Sequence, residues 1–245
     1  MNISYTKNKL TELIISIDDN KINQNIIDKS QNEIEKNILN ENIELALVDP
    51  LTYVNIKKKK DIRVIPFRPI FLEDYSEVFG LDIANTPSEQ KKLLMPLENQ
   101  YFFNITKIIL SERYNINLNE ISKDKGNKLS LFNSETMLDI SEDWYESFKI
   151  RLPLYFWVAL VKDEVYELTH FELIISSITK SDDTYVSTED KTREGQIVRT
   201  WDAECENSLD NTLELLFYHN VVPEIHACKL YDMNDIIQER NDIEE

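Results

Sequence analysis

An alternation of strand and helix patterns near the start of the chain constrains the fold more than any other feature. Residues 10–17 and residues 43–50 are apolar runs with aspartates at their ends, which is typical of buried strands. Residues 30–39 have the pattern of a helix, and residues 62–67 form a third apolar run. Strands separated by helices at this spacing predict an α/β fold with a parallel sheet.

The rest of the chain continues with helix and strand patterns. Ser30 and Glu33 have the spacing of a capping box, which marks the start of the helix over residues 30–39. Residues 152–161 form the most apolar run and predict a central strand. The patterns also predict a strand over residues 128–132 and helices over residues 86–98, 104–114, 140–148, 163–179 and about 205–219.

The acidic composition narrows the class of partner. The chain has 45 acidic and 27 basic residues, which gives a formal net charge of −18. Proteins that bind nucleic acid or anionic membranes carry a basic surface, so the composition predicts neither partner and favours a small molecule. The longest apolar run, residues 152–161, is also about half of the roughly 20 residues that span a bilayer.

The N-terminus and the cysteines predict a cytoplasmic protein. The sequence starts with Met1, and no apolar stretch of signal-peptide length follows it. Cys205 and Cys228 are the only cysteines, too few for a disulfide framework, so we expect reduced thiols. One bridge in an exported protein is the alternative reading.

The sequence contains no motif for a cofactor or a metal. The chain has three glycines, Gly80, Gly126 and Gly195, and their spacing does not match any glycine-rich phosphate-binding loop. The histidines do not have zinc-site spacing; they are His170, His219 and His226. Cys205 lies between two glutamates, which disfavour its thiolate. We therefore expect no cofactor, no metal and no cysteine nucleophile.

Aspartates that follow predicted strands are the first candidates for a ligand site. Asp18 and Asp19 follow the run over residues 10–17, and Asp49 ends the apolar part of residues 43–50. Ligands of open α/β sheets bind outside the carboxyl ends of the strands, where such side chains lie. The alternative is that these aspartates cap the following helices.

Three segments, in order along the chain, resemble one family. Residues 44–54 (ELALVDPLTYV), 138–161 (LDISEDWYESFKIRLPLYFWVALV) and 213–231 (LELLFYHNVVPEIHACKLY) are similar to stretches of the chorismate dehydratases of the futalosine route to menaquinone. The resemblance implies a two-lobed type II periplasmic-binding-protein-like fold, a cytoplasmic location and a ligand in the cleft between the lobes. It places lobe one at residues 1–85 plus about 156–245 and lobe two at about 86–155.

The chain departs from this family where the ligand should bind. Asp49 stands where the family usually has Ser, and Glu77-Val78 replaces a Ser-Val pair, with Ser76 one position away. A Ser/Thr-rich turn becomes residues 101–104, and a Gly-Asp pair becomes Asn133-Ser134. The predicted ligand-binding residues are Asp18, Asp19, Asp49, Ser76, Asn104, Thr106 and Ser134.

These departures bear on the ligand, because chorismate is a dicarboxylate. A second carboxylate within about 4 Å of a bound one costs about 4 kcal/mol at an effective dielectric near 20. That cost corresponds to roughly three orders of magnitude in affinity. Three hypotheses follow: a lyase that removes water from chorismate, a non-catalytic small-molecule-binding module, and an acidic protein-interaction protein. No residue is assigned as a general base, and the sequence predicts no oligomeric state.

Overall fold

The chain divides into two compact units. The first comprises Met1–Pro69, Tyr155–Asp183 and Ala227–Glu245, and the second comprises Ile70–Leu154 and Thr184–His226. The structure is a computed structural model. It describes residues 1–8, 11–12, 15, 25–76, 79–82, 92–94, 100–116, 120–122, 127–131, 137–162, 165–180, 184–185 and 195–244.

Strands and helices alternate along most of the described chain. In chain order they are β1 Asn2–Tyr5, β2 Asn25–Asp28, α1 Gln31–Leu39, β3 Leu45–Val48, α2 Pro50–Lys57, β4 Ile62–Asp74, β5 Phe79–Asp82, β6 Lys92–Leu94, α3 Gln100–Tyr114, β7 Glu120–Ser122, β8 Asn127–Leu131, β9 Met137–Asp139, α4 Ile140–Phe148, β10 Leu152–Leu160, α5 Leu168–Ile178, β11 Thr184–Tyr185, β12 Gly195–Val198, α6 Ala203–Tyr218 and α7 Met233–Glu244. The mixed α/β class predicted from the sequence is therefore confirmed.

Five strands of a seven-stranded sheet lie wholly or partly in the first unit, in the order β2-β1-β3-β10-β4. β1 pairs in parallel with both β2 and β3, and β3 pairs antiparallel with β10. The helix between β2 and β3 starts at the predicted capping box, in which Ser30 N–H donates to the Glu33 carboxylate at 3.1 Å. Ile34 and Ile38 of this helix are buried, one helical turn apart on the same face. This unit thus contains parallel pairing as expected, but of its three parallel strands only β3 corresponds to a predicted one, since β1 and β2 were not predicted.

β10 is buried along its whole length, as its apolar sequence predicts. All nine of its residues are buried. Such a strand is covered on both faces, which explains why its residues are apolar at every position instead of alternating. On one face, the ring of Phe156 meets the ring of Tyr53 from α2 edge-on, with 5.5 Å between centroids. This contact packs α2 against the sheet.

The second unit contains a five-stranded sheet with the order β7-β6-β8-β5-β9. Its helix α3 buries Tyr101, whose hydroxyl donates to the carbonyl oxygen of Pro153 at 2.6 Å. Arg151 is buried and reaches three carboxylates: its Nε lies 2.9 Å from Glu73 Oε2, its Nη1 lies 2.7 Å from Asp202 Oδ1 and its Nη2 lies 3.1 Å from Glu204 Oε2. A buried guanidinium with these partners is satisfied by its own unit.

Two sequence predictions are wrong. The strand predicted over residues 10–17 is contradicted at Thr11 and Glu12, which lie in a helical turn in which Ile15 N–H donates to Thr11 O at 2.7 Å. Asn8 and Thr11 cap this turn, and the first strand is Asn2–Tyr5. The helix predicted over residues 86–98 is contradicted at Lys92–Leu94, which form β6. The first error arises because short apolar runs do not distinguish strand from helix by periodicity alone. The second arises because a three-residue strand such as β6 depends on its pairing with β7 and β8.

Several helix predictions are confirmed. α4 spans the predicted residues 140–148, and α5 and α6 lie within or close to their predicted ranges. The helices are amphipathic: α6, for example, buries Leu209, Leu213 and Leu216 on one side. Within the described ranges, none of the helices is long and apolar enough to cross a membrane.

Gly195 is required by a close approach of two chain segments. It starts β12, which pairs antiparallel with β4, and its register partner is Asp74. A Cβ at Gly195 would lie 1.6 Å from the carbonyl oxygen of Tyr75. Backbone atoms cannot move aside as a flexible side chain can, so this pairing needs glycine.

We predict that Gly195→Ala destabilises the protein by about 3 kcal/mol, because β12 must move away from β4. Thermal unfolding should show a melting temperature roughly 10 °C lower than that of the wild type. Thr200→Ala is the control, since Thr200 is exposed just beyond the same strand. A Gly195→Ala protein that melts with the control would contradict the packing described here.

Candidate functional site

The carboxyl ends of three strands meet at one edge of the first unit. Because β1 runs parallel to β2 and β3, the residues that follow these strands lie side by side. β10 runs the other way, and Phe156 pairs with Val48, so Tyr155 lies at the same edge as Asp49. In α/β proteins, this edge is the usual position of a ligand site.

Asp49 caps α2 at this edge. Its Oδ1 accepts a hydrogen bond from Thr52 N–H at 2.7 Å, and Pro50 occupies the first turn of the helix. The side chain is almost fully buried, at 3% exposure. Burial raises the pKa of Asp49 to about 6, against the opposing effect of hydrogen bonds from the backbone of Thr52 and Leu51. The carboxylate therefore occupies the positive end of α2, where a ligand oxyanion could otherwise bind.

Gln31 joins Asp49 to the end of β1. Its Oε1 accepts from Asp49 N–H at 3.1 Å, and its Nε2 donates to Thr6 Oγ1 at 2.8 Å and to Leu47 O at 3.3 Å. Sequence reasoning missed this residue. The signal was its spacing: Gln31, Ile34 and Ile38 share the buried face of α1. A glutamine in such a row needs buried polar partners.

Asn8 and Thr11 continue the network to β10. Thr11 Oγ1 donates to Thr6 O at 2.8 Å, and Thr11 N–H donates to Asn8 Oδ1 at 2.9 Å. Asn8 Nδ2 in turn donates to the hydroxyl of Tyr155 at 3.1 Å. One chain of hydrogen bonds therefore runs along the edge, and we call its members the carboxyl-edge cluster: Thr6, Asn8, Thr11, Gln31, Asp49 and Tyr155.

The chemistry of the carboxyl-edge cluster is that of hydroxyl, amide and carboxyl groups. Such groups orient polar ligands through hydrogen bonds. The described residues contain no group of three His, Cys, Asp or Glu side chains placed to hold a metal ion. The buried Cys205, in the second unit, is not a reactive thiol, because burial, together with the charge of Asp202, raises its pKa to about 11.

Ser76 belongs to a buried cluster of the second unit. Its N–H donates to Asp139 Oδ2 at 3.1 Å, and its Oγ lies 2.6 Å from Ser141 Oγ. Asp139 also caps α4, accepting from Ser141 N–H at 2.8 Å and from Glu142 N–H at 3.1 Å. Ser76 thus fixes the start of α4, and its role as a ligand residue stays a prediction.

Asn104 and Thr106 both bond to their own helix, α3. Asn104 Nδ2 donates to Gln100 O, and Thr106 Oγ1 donates to Phe102 O, each at 2.9 Å. Two residues along a helix are about 200° apart, so the pair does not face one ligand together. Thr106 is fully buried, whereas Asn104 is half-buried.

The predicted ligand residues therefore separate into three groups. Asp49 lies in the first unit, and Ser76, Asn104 and Thr106 lie in the second. Asp18, Asp19 and Ser134 lie outside the described residues. Of the four that the structure describes, Asp49 is the one that belongs to the carboxyl-edge cluster. It caps a helix, as its alternative reading proposed.

Comparison with known proteins shows the fold. A protein named as an ABC transporter from Parabacteroides distasonis has a TM-score of 0.58 at 10% identity, over 95% of this chain and 99% of that one. A structural-genomics protein from Archaeoglobus fulgidus has a TM-score of 0.53 at 8% identity, over 90% and 98%. The periplasmic aliphatic sulphonate binding protein SsuA from Escherichia coli has a TM-score of 0.50 at 9% identity, over 95% and 94%.

These likenesses place the chain in the type II periplasmic-binding-protein-like fold class, as the sequence predicted. No family model and no curated protein sequence matches the chain. At 8–10% identity the solved structures support the fold alone. Function therefore has to be argued from the residues of the site.

The burial of Asp49 should make the free energy of unfolding depend on pH. Its pKa is raised in the folded state, so the folded protein binds a proton that the unfolded chain releases between roughly pH 4 and pH 6. The free energy of unfolding should therefore fall as the pH rises through this window. A change of about two pKa units corresponds to about 3 kcal/mol. We predict that Asp49→Asn, relative to the wild type, gains about this much between pH 4 and pH 7.

Urea unfolding of both proteins across this pH range measures the effect. The comparison isolates Asp49, since burial also raises the pKa of Asp143 to about 6 and that carboxyl is present in both proteins. Asp242→Asn, at an exposed position on α7, controls for the loss of one negative charge. A stability difference that stays constant from pH 4 to pH 7 would contradict the burial of Asp49.

Proposed function

We propose that this protein binds an uncharged, polar small molecule at the carboxyl-edge cluster. The observation that carries the proposal is the convergence of Thr6, Gln31 and Asp49, which follow three parallel strands, in one hydrogen-bonded network. The fold supports small-molecule binding, since SsuA is by name a binding protein for aliphatic sulphonates. The cytoplasmic location expected from the sequence is part of this proposal.

The groups at the edge favour a ligand that forms hydrogen bonds rather than ion pairs. Thr6, Asn8 and Tyr155 supply hydroxyl and amide groups, and Asn8 is half-buried. The nearby cations pair with acids of their own: Lys7 Nζ lies 3.6 Å from Glu12, and Lys29 Nζ lies 3.4 Å from Glu33. A polar molecule with hydroxyl or amide groups can exchange hydrogen bonds with such an edge without adding charge.

An anionic ligand fits the edge poorly, because α2 carries its own anion. The Asp49 carboxylate accepts the N–H of Thr52 at 2.7 Å, the type of donor that holds oxyanions at helix starts. A ligand carboxylate within about 4 Å of it would lose about 4 kcal/mol at an effective dielectric near 20. The formal charge of −18 adds to this repulsion.

The finer candidate is the removal of water from chorismate, which the resemblance in residues 44–54, 138–161 and 213–231 implies. One local feature supports it: β3 is followed directly by α2, as residues 44–54 of the resembling segment require. As a lyase, the protein would position the leaving hydroxyl and stabilise the developing negative charge. We rank this candidate second, because a dicarboxylate would have to bind beside Asp49.

Pairs of compounds that share a body and differ in one carboxylate test the proposal. Glucose with glucuronate and galactose with galacturonate are two such pairs, and nucleosides extend the neutral set. We predict that a neutral compound raises the melting temperature while its carboxylate counterpart does not. At 100 times its dissociation constant, a ligand adds about 2.7 kcal/mol to the free energy of unfolding. The proposal would be contradicted if only the carboxylate member of each pair raised the melting temperature.

Variants then locate the binding. Tyr155→Phe removes the hydroxyl that Asn8 contacts, so it should weaken binding about fivefold, the worth of one hydrogen bond. Tyr231→Phe is the matched control in the same unit, because the Tyr231 hydroxyl donates to Tyr166 O instead. Equal affinities of the two variants would place the ligand elsewhere.

Incubation with chorismate, followed by chromatography, tests the lyase candidate separately. We expect no conversion by the wild type. Accumulation of the carboxyvinyl-oxybenzoate product would contradict the binding proposal and show that the protein is a lyase. Asp49→Ser, which introduces the hydroxyl of the resembling family, should bind chorismate more tightly than the wild type does.

A further inference from the structure

A second candidate site lies on the second unit, at a cavity between the end of α4 and the outer face of α6. Its volume is about 140 Å³. An apolar protein cavity of about 150 Å³ is large enough to bind benzene. The residues that line it are Phe148, Ile150, Asn211, Glu214, Leu215 and Tyr218.

The apolar walls of the cavity are set by packing. Phe148 is held against the buried Trp144, with 4.7 Å between ring centroids. Ile150 is 7% exposed, so its position is also fixed by the core. Tyr218, by contrast, is 65% exposed, so its ring forms the outer wall of the cavity. Two aromatic rings and two aliphatic side chains therefore surround a space of benzene size.

The polar part of the lining comes from one stripe of α6. Asn211, Glu214 and Tyr218 are spaced three and four residues apart, so they share one helix face. Glu214 is the one charged residue among the six lining residues of the described chain. Among the described residues, no basic side chain forms an ion pair with it. The nearby cation, Lys149, lies instead over the ring of Tyr145, at 5.7 Å from its centroid.

A carboxylate beside aromatic rings is a recognition pattern for organic cations. The faces of Phe and Tyr rings attract ammonium groups, and the attraction grows when the group is partly desolvated. The formal charge of −18 raises the local concentration of cations around the whole molecule. An anion of the same shape would be repelled both by the faces of the aromatic rings and by the net negative charge of the protein.

We propose that this cavity binds a small organic ammonium ion with a body of about benzene size. The body fills the space between Phe148, Ile150 and Leu215, and the ammonium group lies near Glu214 and the ring of Tyr218. The site is independent of the carboxyl-edge cluster, since all six lining residues belong to the second unit. Failure of one proposal therefore leaves the other standing.

Benzylamine, benzyl alcohol and benzoate test the proposal, because they share the ring and differ in charge. Methyl-labelled protein is titrated with each probe by NMR, and the methyl signals of Ile150 and Leu215 are followed. We predict that benzylamine shifts both signals, benzyl alcohol binds about three- to fivefold more weakly, and benzoate shifts neither. Equal or tighter binding of benzoate would overturn the proposal, as would benzylamine shifts confined to other methyl groups.

Two variants and one control measure how much Glu214 and Tyr218 contribute to the affinity for benzylamine. Glu214→Gln should bring benzylamine affinity to that of benzyl alcohol, a loss of about three- to fivefold. Tyr218→Ala removes one wall at an exposed position, so folding is preserved while benzylamine affinity falls. Glu206→Gln changes the same charge two turns earlier on α6, outside the lining, and should leave affinity unchanged. Equal losses in Glu214→Gln and Glu206→Gln would show that only net charge matters and would overturn the site.

Discussion

Aspartates at the starts of helices organise the structure, and the proposed choice of ligand depends on one of them. Asp49, Asp139 and Asp202 each follow a strand or a short loop and accept backbone N–H groups at the start of α2, α4 and α6. Each places a carboxylate at the positive end of a helix dipole. The positions at which this type of fold could hold a ligand oxyanion are thus filled, at these three helices, by the chain itself.

The sequence predicted those helices and strands whose local sequence pattern agrees with their position in the folded core. Ser30 and Glu33 mark a helix start, and the apolar residues of β10 leave no alternative to a buried strand. β1 was missed because Asn2–Tyr5 is short and lacks a flanking turn signal. β6 was read as part of a helix, since a three-residue strand depends on pairing with β7 and β8, partners that are distant in the sequence.

The candidate site was predictable in position but not in composition. Asp49 could be assigned to the carboxyl edge from the strand before it, whereas Gln31 and Tyr155 reach that edge only through the folded sheet. The resemblance to chorismate dehydratases indicated the fold class correctly. Asp49 stands where the resembling family usually has Ser, and this difference led us to propose an uncharged ligand. In the structure, the Asp49 carboxylate accepts the backbone N–H of Thr52 at the start of α2.

The most direct test follows the amide proton of Thr52 by NMR as the pH is changed. An amide that donates to a carboxylate shifts when that carboxylate is protonated. Since Asp49 Oδ1 accepts from Thr52 N–H, and burial raises the pKa of Asp49 to about 6, the Thr52 signal should titrate with a midpoint near pH 6. The titration should vanish in Asp49→Asn. A Thr52 amide that does not titrate, or one with a midpoint below about pH 4, would contradict the claim that Asp49 fills the anion position of α2.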